Sequence, residues 1–264
     1  MSRALSLIQV KYAERTAIKS RVFHEYAQHG LPDGELAMDY NYWIVRDGET
    51  VILLDTGYDV SEAEWLGERE VTAVPETLDV LGIDPSRVSL VVLSHYHFDH
   101  IGWLRLFPHA QVVAGRAEDE FWFGKLRTEE GLDGEFVDPR HLIEVQRARD
   151  EGRLTLIDAP TEIHPGIVVH PVSGHCPGQL LALVDTASGP RIVASDVAHF
   201  YEQIEHGWTF FVHSDLDDMR RSFETLRDLG AQHGAEIIPG HDARVRDRYP
   251  ALPGAAGRFA NLLG

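Results

Sequence analysis

The chain has 264 residues, of which 44% are hydrophobic, and this size and composition fit one α/β domain with a sizeable core. Its 24 Lys and Arg residues against 42 Asp and Glu give a formal charge of −18, which disfavours binding to phosphate backbones and anionic membranes. A single cysteine, an N-terminus unlike a signal peptide and the lack of an apolar run of membrane-spanning length favour a cytoplasmic protein without an internal disulfide.

The apolar spacing predicts strands and helices that alternate along the chain. Alternating or short continuous apolar runs favour strands at residues 4–12, 40–45, 51–54, 88–93, 111–114, 167–172, 180–185, 191–194 and 236–238. Residues 75–83 begin at a proline and end near a glycine, as short helices do. Ser214–Gly234 is the clearest helix, with a capping box predicted from Ser214 and Asp217. Residues 20–42 contain Gly30, Pro32 and few apolar positions, which indicates a loop.

The stretch from Arg116 to Asp158 interrupts this alternation of strands and helices. It contains the aromatic triplet Phe121-Trp122-Phe123, a part rich in glycine and charge, and a helix-like piece at Leu142–Ala148. We interpret residues 116–158 as an insertion that forms part of a substrate pocket within a single domain, 1–264. The aromatic triplet either lines that pocket or packs the insertion onto the core.

Ligand-type side chains are concentrated between Ser94 and His100. The stretch Ser-His-Tyr-His-Phe-Asp-His holds three imidazoles and one carboxylate, and it directly follows the apolar run 90–93, which predicts a buried strand. His95 and His97 are two residues apart, so both side chains project to the same side of an extended segment. Asp99 and His100 follow at the start of a short helical pattern. One His pair and one Asp/His pair are enough to supply the first ligands of two adjacent metal sites.

His-x-His-x-Asp-His after an apolar strand resembles the signature of the metallo-β-lactamase superfamily of binuclear metal hydrolases. The resemblance extends from about Trp43 to Asp242 and implies three more ligands, each in a loop after a strand. His175 in Ser-Gly-His-Cys-Pro-Gly, Asp196 in Val-Ala-Ser-Asp and His241 in Pro-Gly-His-Asp take these places. The resemblance also implies the αββα sandwich, an α/β fold of two mixed sheets covered by helices.

The family's roles imply two metal sites joined by one bridging carboxylate. His95, His97 and His175 would hold the first ion, Asp99, His100 and His241 the second, and Asp196 would bridge them. Nitrogen and oxygen donors suit two Zn²⁺ ions and are also compatible with Mn²⁺, Fe or Co²⁺. The implied nucleophile is a hydroxide between the ions, since coordination lowers the pKa of water towards about 7.

Two neighbours of these ligands receive other roles. The resemblance gives Asp55, in Asp-Thr-Gly at the end of a predicted hairpin, a supporting role without metal binding. Cys176 follows His175 directly, but family members that use a Cys ligand place it where this chain has Asp196. We therefore interpret Cys176 as a small packed residue.

Within the superfamily, the chain is most similar to the N-acyl homoserine lactonase group. The shared features are its short length, the Asp bridge, His-x-His-x-Asp-His-x-Gly and the closing Gly-His-Asp. We therefore expect hydrolytic opening of a lactone ring. The expected partner is a small-molecule lactone or related ester, without nucleic acid or membrane, and the chain acts alone or as a homodimer.

Asp99, His199 and Tyr201 are the candidate catalytic residues. Lactonases of that group place a Tyr three residues after the bridging Asp, where its phenol contacts the substrate carbonyl. This chain has His199 at that position and Tyr201 two residues further on. In an extended loop both side chains point to the same side, so either could donate a hydrogen bond to an oxyanion. Alternatively, both pack among aromatic neighbours such as Phe200 and Trp208.

Three other functions are open on the sequence. A glyoxalase II-like thioester hydrolase shares the ligand pattern, and Arg244, Arg246 and Arg248 could form its glutathione-binding patch. A non-catalytic metal protein or a redox di-iron protein is another class. The redox branch, however, usually has Glu at the position of His97 and a flavin domain. An exported β-lactamase is disfavoured by the N-terminal sequence.

Overall fold

Two mixed β-sheets form the centre of the fold. The structure, a computed structural model, describes residues 5–59, 70–126 and 136–264. The first sheet contains β1 (Ser6–Ile18), β2 (Glu35–Asp47), β3 (Thr50–Leu54), β4 (Glu70–Val71), β5 (Leu90–Val92), β6 (Gln111–Gly115), β7 (Leu154–Ile157) and β13 (Ala260–Leu262). Its order is β13-β1-β2-β3-β5-β6-β7, with β4 paired to β1. The strands β3, β5, β6 and β7 run parallel, and the other pairs in this sheet are antiparallel.

The second sheet consists of β8 (Thr161–His164), β9 (Ile167–Val172), β10 (Gln179–Thr186), β11 (Gly189–Ser195) and β12 (Glu236–Pro239). Its order is β12-β11-β10-β9-β8. The pairs from β8 to β11 are antiparallel, and β12 runs parallel to β11. As a result, β9, β11 and β12 all point in one direction.

Helices cover the outer faces of the two sheets. They are α1 (Lys19–Val22), α2 (Val74–Val80), α3 (Phe98–Ile101), α4 (Arg116–Leu126), α5 (Pro139–Asp150), α6 (Tyr201–His206), α7 (Leu216–His233) and α8 (Val245–Arg248), with 3₁₀ turns at Tyr26–His29, Pro85–Arg87, Leu104–Leu106 and Gly254–Arg258. The helix α7 contacts β11 and β12, whereas α2, α4 and α5 contact the first sheet. No helix in the described ranges is long and apolar enough to cross a membrane. The predicted αββα sandwich is confirmed.

The core follows from strands that bury both faces. On β2, Trp43 and Val45 lie in the cluster between the sheets, while Tyr42 and Ile44 pack against the helical layer. This is the period-two alternation of a strand with two apolar environments. Full burial of one such large side chain contributes roughly 1.5–3 kcal/mol.

Two local predictions are corrected by the structure. The loop predicted over residues 20–42 is shorter, because β1 and β2 extend as long hairpin arms that pair as far as Ile18 and Glu35. Because these arms contain exposed polar residues, the sequence does not show the apolar alternation that indicates a strand. The cap of α7 is Asp215, whose side chain accepts the Asp218 N–H at 2.8 Å, and not the predicted Ser214. The Ser214 hydroxyl donates instead to the Gly174 carbonyl at 3.1 Å.

The described parts of residues 116–158 continue the βα order instead of interrupting it. The helices α4 and α5 lead from β6 to β7, and β7 lies parallel to β6. Trp122 and Phe123 are buried in the core cluster, while residues 127–135 lie outside the described ranges. The single domain with a pocket-forming insertion at 116–158 stays a prediction.

Candidate metal centre

The ligand-type side chains lie at one edge of the two sheets. Each follows the carboxyl end of a strand, namely Asp55 after β3, His95 after β5, His175 after β9, Asp196 after β11 and His241 after β12. Strands that run in the same direction end at the same edge of a sheet. The short helix α3 then adds Asp99 and His100 to this edge. Residues far apart in sequence therefore meet here.

The first cluster gathers three imidazoles and one carboxylate oxygen. His97 Nδ1 lies 3.0 Å from His95 Nε2 and 2.9 Å from His175 Nε2. Asp196 Oδ2 lies 3.3 Å from His175 Nε2 and 3.7 Å from His95 Nε2. Four ligands about 2.1 Å from a tetrahedral Zn²⁺ are about 3.4 Å from one another. The spacing fits a single metal ion.

The second cluster lies on the other side of Asp196. His100 Nε2 is 3.4 Å from Asp196 Oδ1 and 3.5 Å from Asp99 Oδ2. His241 Nε2 is 2.9 Å from the same Asp196 oxygen and 3.8 Å from Asp99 Oδ2. The two oxygens of Asp196 thus face different clusters, which is the arrangement that a bridging carboxylate requires.

The outer ring nitrogens are held by oxygen atoms. His95 Nδ1 lies 3.0 Å from Ser94 Oγ, and His100 Nδ1 lies 2.8 Å from Asp55 Oδ2. His175 Nδ1 lies 3.0 Å from the Val212 carbonyl oxygen, and His241 Nδ1 lies 2.7 Å from the Asp39 carbonyl oxygen. Such partners fix the ring orientation and leave Nε2 for a metal, as in known metal sites. In His97 the two ring nitrogens exchange these roles: Nδ1 faces the cluster, and Nε2 lies 3.3 Å from Cys176 Sγ. The donor set therefore fits two divalent ions.

Asp55 connects the first-sheet side of the site with the second-sheet side. It accepts the Ser94 N–H at 2.7 Å and the hydroxyls of Ser94 at 2.9 Å and Ser195 at 3.1 Å. Asp55 and Ser195 have φ values of +65° and +46°, a left-handed conformation that is unfavourable for non-glycine residues. Supporting roles for Ser94 and Ser195 were not predicted, because their only signal in the sequence is that each directly precedes a ligand candidate.

Burial keeps the imidazoles of the first cluster neutral. It lowers the pKa of His95 and His175 well below the usual value and that of His97 to about 4. Neutral imidazoles have a free lone pair for a metal. Burial is also the largest influence on the pKa of His100, but the nearby Asp99 and Asp196 outweigh it and raise that pKa. The second cluster is therefore the more strongly negative environment.

His199 and Tyr201 take different places. His199 is buried, its Nε2 lies 3.0 Å from Asp196 Oδ2, and its ring stacks on Phe210 with centroids 3.5 Å apart. Among the described residues, neither of its ring nitrogens has a hydrogen-bond partner of good geometry. Tyr201 instead begins α6, and its ring packs in the core between the sheets under the Arg248 guanidinium, 3.7 Å away. The extended loop expected through Tyr201 is not formed, so the phenol points away from the ligands.

A cavity opens directly over the two clusters. The side chains that line it with the ligand candidates are Arg15, Met38, Tyr40, Phe98, Phe136, His199, Phe210, Phe211 and Val212. Its empty space is about 440 Å³ with the open mouth included, and aromatic rings form much of its wall. The arrangement can bind a compact molecule with one polar end on the ligands and apolar groups against the aromatic walls.

Known proteins resemble this chain in sequence. Residues 37–241 match the model of the metallo-beta-lactamase superfamily. The N-acyl homoserine lactonase AttM of Azorhizobium caulinodans is 31% identical over 216 residues, which cover 76% of this chain and 74% of that protein. The N-acyl homoserine lactonase AiiA of Bacillus thuringiensis subsp. kurstaki is 25% identical over 247 residues, covering 87% and 92%.

The fold is shared as well. A quorum-quenching N-acyl homoserine lactone hydrolase of known structure has a TM-score of 0.74 at 21% identity, over 95% of this chain and 98% of that one. At such an identity the likeness concerns the fold. Because the family model covers most of the chain and the ligand candidates converge, the chain belongs to the metallo-beta-lactamase superfamily of metal-dependent hydrolases.

Proposed function

We propose that this chain is a binuclear metal-dependent lactonase, which opens a lactone ring by hydrolysis. The observation that carries the proposal is the pair of ligand clusters that share Asp196 beneath a small cavity. The 31% identical AttM is an N-acyl homoserine lactonase, which supports a lactone as the substrate class.

The ligands divide into two sets. One ion would be held by His95, His97 and His175, and the other by Asp99, His100 and His241. Asp196 would bind both ions. Zn²⁺ is the ion that suits these donors best. When bound, two such ions supply hydroxide at neutral pH and polarise an ester carbonyl. The four outer oxygen partners of the histidines would keep the rings in place during turnover.

His199 is the side chain that we assign to the oxyanion. The residue lines the cavity, its Nε2 lies 3.0 Å from Asp196 Oδ2, and stacking on Phe210 restricts the ring to one plane. A donor fixed before the reaction stabilises the tetrahedral oxyanion more than the flat carbonyl, because the negative charge develops only in the transition state. The apolar walls exclude water and strengthen that hydrogen bond.

The thioester alternative has less support. Its glutathione substrate needs free cations near the C-terminus, but Arg244 binds the carboxylates of Asp242 and Glu202. Arg246 is held by Asp39 and by Glu14, and the Arg248 guanidinium lies over the Tyr201 ring. These three arginines therefore already have partners.

A hydrolysis screen of metal-loaded protein tests the proposal. The panel contains an N-acyl homoserine lactone, a simple γ-lactone, S-lactoylglutathione, a β-lactam and a phosphodiester, with the metal content measured on the same sample. We expect lactones to have the highest kcat/KM. Turnover of S-lactoylglutathione far above every lactone would replace this proposal with the thioesterase.

A further inference from the structure

Arg15 places a cation in the wall of the catalytic cavity. It lies half-buried on β1, directly opposite Met38 across the pair with β2, and its side chain lines the same cavity as His97 and Asp196. Its Nε–H donates to the Tyr40 hydroxyl at 2.8 Å, and Nη2 lies 3.4 Å from Met38 Sδ. Because both contacts come from a long hairpin, the guanidinium is held in position instead of moving freely.

Among the residues that the structure describes, this guanidinium has no acidic partner. Within the described ranges, no carboxylate lies within 4.0 Å of Arg15, even though its neighbour Glu14 binds Lys11 and Arg246. Because the chain has a formal charge of −18, carboxylates outnumber the positively charged side chains that could pair with them. A guanidinium has five N–H donors and stays charged, and the Tyr40 and Met38 contacts use two of them. The remaining donors are available to a molecule in the cavity.

Tyr40 connects Arg15 with the second ligand cluster. The Tyr40 hydroxyl accepts the hydrogen bond from Arg15, and the Tyr40 ring centroid lies 5.2 Å from that of His241 in an edge-on contact. Because Arg15, Asp196 and His241 line one cavity, a molecule whose ester reaches Asp196 and His241 would extend a second group towards Arg15. Guanidinium binds carboxylate through two parallel hydrogen bonds, and aromatic walls strengthen such a pair by excluding water.

We propose that Arg15 forms an anion-binding subsite and that the preferred substrate is a lactone which bears a carboxylate beside its ring. This inference rests on the proposed lactonase function and narrows its substrate class. A neutral lactone can still reach the ligand clusters but leaves the Arg15 donors without a partner. Arg15 is thus a specificity-determining residue.

Arg15 could instead serve only to hold Tyr40 in place. The two roles differ in what they predict for a matched acid and amide. Loss of a structural contact weakens both compounds equally, whereas loss of an anion subsite weakens only the acid. Arg15→Gln removes the charge, Arg15→Lys keeps it without the planar fork, and Arg21→Gln removes an exposed charge from α1 as a control.

Binding of a ring analogue that contains a lactam in place of the lactone gives a readout independent of turnover. Calorimetry on metal-loaded protein compares 5-oxoproline with its primary amide. We expect the wild type and Arg21→Gln to bind the acid at least tenfold more tightly than the amide. Arg15→Gln should abolish that preference, and Arg15→Lys should retain part of it.

Hydrolysis of the corresponding γ-lactone carboxylate and its primary amide completes the test. Arg15→Gln should raise KM for the acid about tenfold more than it raises KM for the amide, whereas Arg21→Gln should leave the ratio of the two KM values as in the wild type. Equal losses for both compounds, or a wild type that prefers the acid in neither measurement, would overturn the proposal. If the acid binds through Arg15 but no lactone is hydrolysed, the lactonase function fails while the subsite stands.

Discussion

Nε2 of His199 lies 3.0 Å from Oδ2 of Asp196, the oxygen that faces the first cluster. This places an imidazole beside the carboxylate that would bridge the two metal ions. Burial lowers the pKa of His199, so the ring is neutral and its single N–H can be directed at one acceptor.

We expect His199→Ala to lower kcat on the best lactone about 10²-fold, roughly 2.7 kcal/mol, because it removes a donor to the oxyanion. Metal content should stay at two ions per chain, since we do not assign His199 as a ligand. Tyr201→Phe is the control, because the Tyr201 ring packs between the sheets. An unchanged kcat in His199→Ala with full metal loading would leave the ions as the only stabilisers of the oxyanion.

Asp196→Ala should lose metal as well as activity. Without the shared carboxylate, two close cations would face each other unshielded, and each cluster would lose one donor. Elemental analysis after gel filtration should give fewer than two ions per chain. Asp228→Ala removes an exposed carboxylate from α7 and should keep both. Two tightly held ions in Asp196→Ala would show that this carboxylate is not a bridge.

Gly174 allows the chain to approach α7 closely just before His175. Its φ is +124°, and a Cβ built there would lie 2.3 Å from the backbone nitrogen of Met219. Gly174→Ala should therefore lower the free energy of unfolding by about 2–4 kcal/mol in urea titrations and weaken metal binding through His175. Gly124→Ala, where a methyl group meets nothing within 4 Å in α4, should be neutral or stabilise by up to about 1 kcal/mol. Equal midpoints for the two variants would contradict this.

Glu118 should make stability depend on pH. It is fully buried, and burial raises its pKa from 4.5 to about 7, although the Tyr96 N–H and the Trp122 indole donate to it. The folded protein thus holds this proton more tightly than the unfolded chain does. The resulting stability is complete below pH 4.5 and is lost as the pH rises through about 7.

Glu118→Gln removes this titration. The free energy of unfolding should change less between pH 5 and pH 8 in the variant, by roughly 3 kcal/mol at most. Urea titrations at both pH values, on metal-loaded protein, measure the difference. The same pH slope in wild type and variant would mean that Glu118 remains ionised throughout.

Much of the fold and the ligand arrangement could be predicted because the relevant signals are local. The apolar run 90–93 marks a buried strand, and the ligand candidates follow it within a few residues. His175, Asp196 and His241 also follow apolar runs, so strand ends that meet at one edge bring them together. The spacing of Met219, Phe223 and Leu226 likewise predicted the buried stripe of α7.

The remaining features depend on contacts between distant segments. The Ser195 hydroxyl donates a hydrogen bond to Asp55, which is 140 residues away in the sequence, and no residue type in either segment indicates that pairing. Arg15 and Met38 share the cavity wall only because β1 and β2 are longer than their apolar patterns suggested. Tyr201 was expected near the ligands, but a helix starts at that residue and turns its ring into the core.

A metal titration tests the central claim most directly. Protein depleted of metal receives increasing Zn²⁺ while the hydrolysis of the lactone with the highest kcat/KM is followed. The shared Asp196 between two ligand clusters predicts that lactone turnover rises until two equivalents per chain have bound and then stays constant. A rate that is already maximal at one equivalent, or no lactone turnover with two ions bound, would contradict a binuclear lactonase.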